Sequence, residues 1–197
     1  MLDYTSKTDS ELVSLTLVDQ EVFLYLMERY EESLLRYIRR FSGVSKENAE
    51  DILQEVFIKV YRNLNDFDQD LSFSSWIYRI AHNETINQLK KINKEKTIPL
   101  ETDDEGVVSL IDILENDVDI AKEVEKKDLQ QKVQKILLML SPAFREILIL
   151  KFIEDKSYEE ISDILEKPIG TVGTLINRAK IQFKQIAEKN NLIYSLS

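Results

Sequence analysis

The sequence predicts an all-α chain of two small helical domains joined by an acidic linker, and three observations carry that prediction. Apolar residues recur at helical spacing in both halves, Gly and Pro are scarce at 4 and 3 in 197 residues, and the acids concentrate in one central stretch. With 43% hydrophobic residues each half can bury a core of its own, and no segment alternates with the period of a strand. The expected bounds are 1–96 for the first domain, 97–127 for the linker and 128–197 for the second domain.

The first unit opens with two helices between about Ser10 and Arg40. Leu12, Leu15, Phe23, Leu24, Leu26, Met27, Tyr30, Leu34, Leu35 and Ile38 are their apolar residues, and Gly43 ends the second. A longer helix follows, with Ser45 as N-cap and Glu47 and Glu50 near the positive end of its dipole. Ala49, Ile52, Leu53, Val56, Phe57, Val60 and Leu64 trace its buried stripe. Asp51, Gln54, Glu55, Lys59 and Arg62 form the opposite face, which on charge alone is a solvated one. Residues 63–72 (NLNDFDQDLS) read as a polar loop.

The next helix, FSSWIYRIAHNETINQLKK, starts at a Ser74 or Ser75 cap. Phe73, Trp76, Ile77, Ile80 and Ala81 can pack inward, and Trp76 taken alone reads as core. Arg79, His82, Asn83, Asn87, Lys90 and Lys91 line another side. Beside a polar loop, that combination of aromatic, amides and cations suits unstacked single-stranded bases better than duplex.

The connector carries Glu101, Asp103, Asp104, Glu105, Asp112, Glu115, Asp117, Asp119, Glu123 and Glu125 against a single Lys122. Basic residues collect on either side of it, Lys90, Lys91, Lys94 and Lys96 before and Arg178, Lys180, Lys184 and Lys189 after.

The second unit spells out a helix-turn-helix. Ser141 caps a helix whose first residue is Pro142, where a missing N–H costs nothing. Ser157 and Glu160 make a capping box for the next helix, in which Ile161, Ile164 and Leu165 are buried. Lys167-Pro168-Ile169-Gly170 breaks that helix. The last helix buries Val172, Leu175, Ile176, Ala179, Phe183 and Ile186 and turns Thr171, Thr174, Asn177, Arg178, Lys180 and Lys184 outward. Periodicity alone equally allows a plain three-helix bundle. The capping, the Pro-containing turn and the hydroxyl, amide and guanidinium groups on one face favour a major groove instead.

Composition excludes several classes. With no Cys and His82 as the one His, disulfides, thiolate metal sites and a His-based zinc site or catalytic dyad are implausible, and no cofactor is expected. No signal peptide opens the chain and no apolar run approaches the roughly 18 residues of a membrane span, so the expected compartment is the cytoplasm. A net charge of −10 sits badly with a free-standing DNA binder. Such a chain meets DNA when a larger, more basic partner holds it there.

Across nearly its whole length the chain resembles the extracytoplasmic-function sigma factors of bacterial RNA polymerase. AEDILQEVFIKVYRNL is similar to the helix of sigma region two that docks on the polymerase clamp, and FSSWIYRIAHNETINQLKK to the promoter-melting helix. LSPAFREILILKF, YEEISDIL and PIGTVGTLINRAKIQFKQ are similar to region four. The resemblance implies a non-catalytic specificity subunit with core RNA polymerase (its beta and beta-prime subunits) and promoter DNA as partners. It also implies an anti-sigma factor, often membrane-anchored, and no small-molecule substrate. Asp51, Gln54 and Glu55 would contact polymerase. Asn65, Phe73, Trp76, Arg79, Asn83, Asn87, Lys90 and Lys91 would bind the minus-10 element as single strand, and Thr171, Thr174, Asn177, Arg178 and Lys180 the minus-35 element as duplex. Region four would also dock on the polymerase flap, and the linker would thread the RNA exit channel. Asn87, Glu166, Gly173 and Leu175 depart from the family pattern, where Asp, Gly, Lys and Arg are frequent. A stand-alone helix-turn-helix regulator is the alternative, and a carboxylate-rich metal-dependent hydrolase a distant third.

Overall fold

The computed structural model describes residues 4, 6–68, 71–95 and 122–190. Among them are eight α-helices and no strand. None of these helices is long and apolar enough to cross a membrane.

The N-terminal helix α1 (Asp9–Thr16) starts one residue before the expected Ser10, because Thr8 and Glu11 form a reciprocal capping box. A single 3-10 turn, Gln20–Val22, leads into α2 (Phe23–Ser42). Gly43 closes α2 in the left-handed region at φ 72°, and a Cβ there would meet Leu138 Cδ2 at 2.9 Å. The left-handed backbone calls for glycine at that position, and a side chain there would also have to displace the Leu138 methyl. Leu24, expected in the core, is exposed on α2. Tyr37 and Phe41, absent from that expectation, are fully buried on the same helix.

Ser45 caps α3 (Lys46–Arg62) through Asn48 N–H, and every residue of its expected stripe is buried. Its polar face is less uniform than expected, since Lys59 reaches across to the buried carboxylate of Glu84. A 3-10 turn at Leu64–Asp66 interrupts the polar loop, and α4 (Phe73–Glu95) follows. Its cap is Ser72, whose Oγ accepts from Ser75 N–H at 3.2 Å, and not Ser74 or Ser75. The loop's aromatic Phe67 packs edge-on against Phe73 at 5.3 Å and lies 5.0 Å from Trp76.

Most of the expected linker lies outside the described residues, although its end is already helical because α5 (Lys122–Met139) begins there. Pro142 is the first residue of α6 (Pro142–Phe152). The Ser157–Glu160 capping box opens α7 (Tyr158–Leu165), with Ser157 N–H donating to Glu160 at 2.8 Å. Glu166 ends α7 in the left-handed region at φ 51°, and α8 (Ile169–Lys189) starts after Pro168. Ile169 and Gly170, expected in the turn, therefore belong to α8.

The two units do not keep separate cores. Their buried residues form one continuous cluster, with α2 packed on α6 and α4 on α7. Glu146 of α6 sits at the join, 3% exposed, accepting from Tyr37 Oη at 2.5 Å and from His82 Nδ1 at 2.5 Å. Arg145 beside it donates to the carbonyls of Leu137, Leu138 and Leu140 and crosses to Phe41 O at 2.8 Å. A buried carboxylate is tolerable only where such donors surround it. Burial and the neighbouring Glu146 in turn push the Tyr37 hydroxyl well above its ordinary pKa, so it stays a donor.

Candidate nucleic-acid and partner surfaces

Helix geometry presents three separate polar faces, each backed by a buried stripe. On α3, Asp51, Gln54 and Glu55 are all exposed one turn apart. Gln54 also borders a groove of about 380 Å³ floored by Phe23, Met27, Phe57, Ile58 and Tyr61. Ile58 and Tyr61 stand exposed at the surface. Sequence reasoning missed this groove, although the signal was present: Ile58 and Tyr61 are apolar yet out of register with the stripe from Ala49 to Val60. The groove's polar lining is Gln54 and the cation of Arg62, and Asp51 and Glu55 are exposed on the same helix, so an open apolar floor lies beside a mixed polar face.

On α4, Asn83, Asn87, Lys90 and Lys91 are exposed, and Asn65 is exposed on the preceding turn. With Trp76 and Arg79 they fall at intervals of three and four residues, which places them along one side of the helix. Trp76 is half-buried, while Phe73 is a core residue, 4% exposed and stacked edge-on against Tyr30. A small hollow of about 60 Å³ opens beside Trp76, lined by Leu71, Ser72, Ser75, Arg79 and, from α7, Asp163. Arg79 Nη1 lies 3.8 Å from Glu166 Oε1. His82, expected in the row of amides and cations, instead turns to Glu146. The lower half of this face is thus open and basic, and its upper end lies under α7.

On α8, Thr171, Thr174, Asn177, Arg178 and Lys180 are exposed, and Val172, Ile176 and Ala179 are buried behind them. Thr174 Oγ1 donates back to Gly170 O at 2.9 Å, leaving the oxygen free to accept. Thr171 lies in the first turn, its own N–H bonded to Pro168 O at 2.8 Å and its side chain exposed. Lys180 stands at the edge of this face, 5.9 Å from the Phe152 ring centroid. There it rims, with Lys184, an apolar groove of about 400 Å³ floored by Val133, Leu137, Leu148, Phe152 and Phe183. The sequence reading placed both lysines facing outward and did not anticipate the groove, because its walls come from three helices and only the fold assembles them. A Cβ at Gly173 would stand 3.5 Å from Tyr158 Cε2 of α7, an ordinary contact.

Residues 26–95 match the family model for sigma-70 region 2, and residues 130–183 match that for sigma-70 region 4. The chain is 34% identical over 163 residues to the ECF RNA polymerase sigma factor SigW of Bacillus subtilis, covering 82% of this chain and 87% of that protein. In fold it is similar to CnrH, solved in complex with the cytosolic domain of CnrY, with a TM-score of 0.67 at 19% identity over 92% of this chain and 97% of CnrH. It is also similar to the sigma factor RpoE of Bartonella quintana, solved with the anti-sigma factor NepR, with a TM-score of 0.61 at 21% identity over 88% and 98%.

Proposed function

The chain belongs to the extracytoplasmic-function sigma factors, the promoter-specificity subunits of bacterial RNA polymerase, and on that premise we propose which surface does what. As a sigma factor it binds core RNA polymerase, directs it to specific promoters and starts their melting. Residues 1–96 dock on polymerase and take the minus-10 element, 97–127 form the linker, and 128–197 read the minus-35 element. Asp51, Gln54 and Glu55 contact core, with the groove beside Ile58 and Tyr61 taking an apolar ridge of the partner. Asn65, Trp76, Arg79, Asn83, Asn87, Lys90 and Lys91 hold the separated strand, stacking and pairing with phosphates. Phe73 acts from the core by supporting Trp76. Thr171, Thr174, Asn177, Arg178 and Lys180 face duplex. The apolar groove rimmed by Lys180 and Lys184 receives the polymerase flap. The protein supplies no chemistry of its own and works in the cytoplasm. An anti-sigma factor holds it in reserve, as NepR is bound to its Bartonella relative.

The observation that carries this reading is the solvent-open apolar groove on α3 with Gln54 on its rim and Asp51 and Glu55 beside it. A stand-alone helix-turn-helix regulator would instead bind duplex without polymerase, which a net charge of −10 disfavours. The double substitution Asp51→Ala with Gln54→Ala is expected to weaken core binding about tenfold or more while leaving the circular dichroism spectrum unchanged. Unchanged affinity in a pull-down would remove the docking assignment.

A further inference from the structure

Among the described residues of the second unit, Ile181 is the most exposed large apolar side chain, with 60% of its surface open. Unlike Phe152, it lines neither of the two apolar grooves. A single exposed apolar residue is ordinary on any protein, so its place on α8 is what carries meaning.

Gly170, Thr174, Asn177 and Ile181 are all exposed and follow one another at intervals of four, three and four residues. They therefore share one line along α8, opposite the buried Val172, Ile176 and Ala179. Arg178 stands on one flank of that line, and Lys180 and Lys184 stand on the other, each of them exposed. A helix lying in the major groove meets the two phosphate strands with its flanks and the base edges with the line between them. Ile181 is on the middle line, one turn beyond Asn177.

Two features let a residue that far along the helix reach a base. At Gly170 a Cβ would meet nothing within 4 Å, so no side chain at the start of the line holds the end of α8 away from the groove floor. The side chains then grow along the line, from none at Gly170 through Thr174 to Asn177 and Ile181. That taper suits a helix whose N-terminal end enters deepest and whose axis rises away from the bases behind it. Asn and Thr answer the hydrogen-bonding groups of the groove, whereas an isoleucine has neither donor nor acceptor. Set against an amino group or a carbonyl it would desolvate that group without a partner. The apolar feature of the major groove is the C5 methyl group of thymine.

We propose that Ile181 is a specificity-determining residue that packs on the C5 methyl group of one thymine in the minus-35 element, and so selects an A·T pair there. The proposal rests on the assignment of α8 to the minus-35 duplex. Sequence patterning alone does not single out Ile181, because an apolar residue on the outer face of an amphipathic helix reads as an irregularity until the cations are seen on both sides of it.

The test uses the full-length chain with core polymerase on a promoter enriched from a randomised library. Each thymine of its upstream block is replaced in turn by deoxyuridine, which removes the methyl group and keeps the pairing. At one thymine the wild-type holoenzyme is expected to bind the deoxyuridine promoter about fourfold more weakly, the worth of one buried methyl group. Ile181→Ala is expected to bring that ratio to about one, the mark of two changes acting on a single contact. Ile181→Val, which keeps a branched apolar group, retains at least about twofold discrimination. Each ratio is taken within one variant, so a change in folded fraction or in core binding cancels.

A wild-type ratio that survives in Ile181→Ala overturns the proposal, as does a wild type indifferent to every deoxyuridine or an upstream block without an A·T pair. Asn177→Ala with Arg178→Ala separates the two levels of failure. If that double variant relaxes the upstream block while Ile181→Ala keeps the wild-type ratio, the proposal falls alone. If the double variant leaves the upstream block intact, the assignment of α8 and the proposal fall together.

Discussion

Glu146 illustrates what a single residue can conceal. In sequence it is one polar position in an apolar helix, yet its carboxylate joins Tyr37 and His82, residues 109 and 64 positions away. Nothing in helical periodicity marks a buried acid, because its partners come from other helices. Short-range chemistry was far more legible. Ser157–Glu160, Ser45 and Gly43 act as their spacing predicts, since caps and left-handed ends involve atoms within one turn. Thr8 and Glu11 form the same kind of box. Hydrogen bonds from the Thr8 backbone, Lys7 and the Thr8 hydroxyl pull the Glu11 carboxyl from 4.5 down to about 2. A depressed carboxyl favours the folded state above its unfolded pKa and loses that contribution as pH falls through the folded one. The melting temperature of wild type is therefore expected to drop between pH 4.5 and about 2 more steeply than that of Glu11→Gln. Identical slopes in a pH series of thermal melts would show that the box contributes nothing at this end of α1.

At the scale of elements, stripes and their order were readable and edges were not. The buried side of α3 matches its periodicity residue by residue, whereas the groove beside it needed Phe23 and Met27 from α2. Exposed residues of α8 were likewise placed correctly, while the position of Lys180 on a groove rim depended on Phe152 of α6. Gly173 lies inside α8 with an ordinary negative φ, so no backbone need explains it. A Cβ would make ordinary contact with Tyr158 at 3.5 Å. Gly173→Ala is thus expected to stabilise the chain by about 0.5–1 kcal/mol through helix propensity, read as a higher denaturation midpoint with unchanged slope. A lower midpoint would mean that Tyr158 cannot yield the space, and that the close α7–α8 approach is the reason for the glycine.

For the whole molecule, charge and layout act together. A chain of net charge −10 is a poor free DNA binder, whatever the packing of its two units on one core. On the proposed assignment, two weak contacts to one promoter become effectively intramolecular once the chain is docked on polymerase, and modest faces on α4 and α8 suffice. Sequence had divided the chain into these two units but had not shown that they pack together, because the helices that meet, α2 with α6 and α4 with α7, are far apart in sequence and only the fold brings them into one core. The central claim, that α4 and α8 read different promoter blocks, is tested by run-off transcription with core polymerase on a randomised promoter library. Wild type is expected to enrich two spaced blocks. Asn177→Ala with Arg178→Ala should relax the upstream block alone, and Asn83→Ala with Asn87→Ala the downstream block alone, each by about tenfold in enrichment. Loss of both blocks in either variant, or of neither, would contradict the division of labour between the two helices.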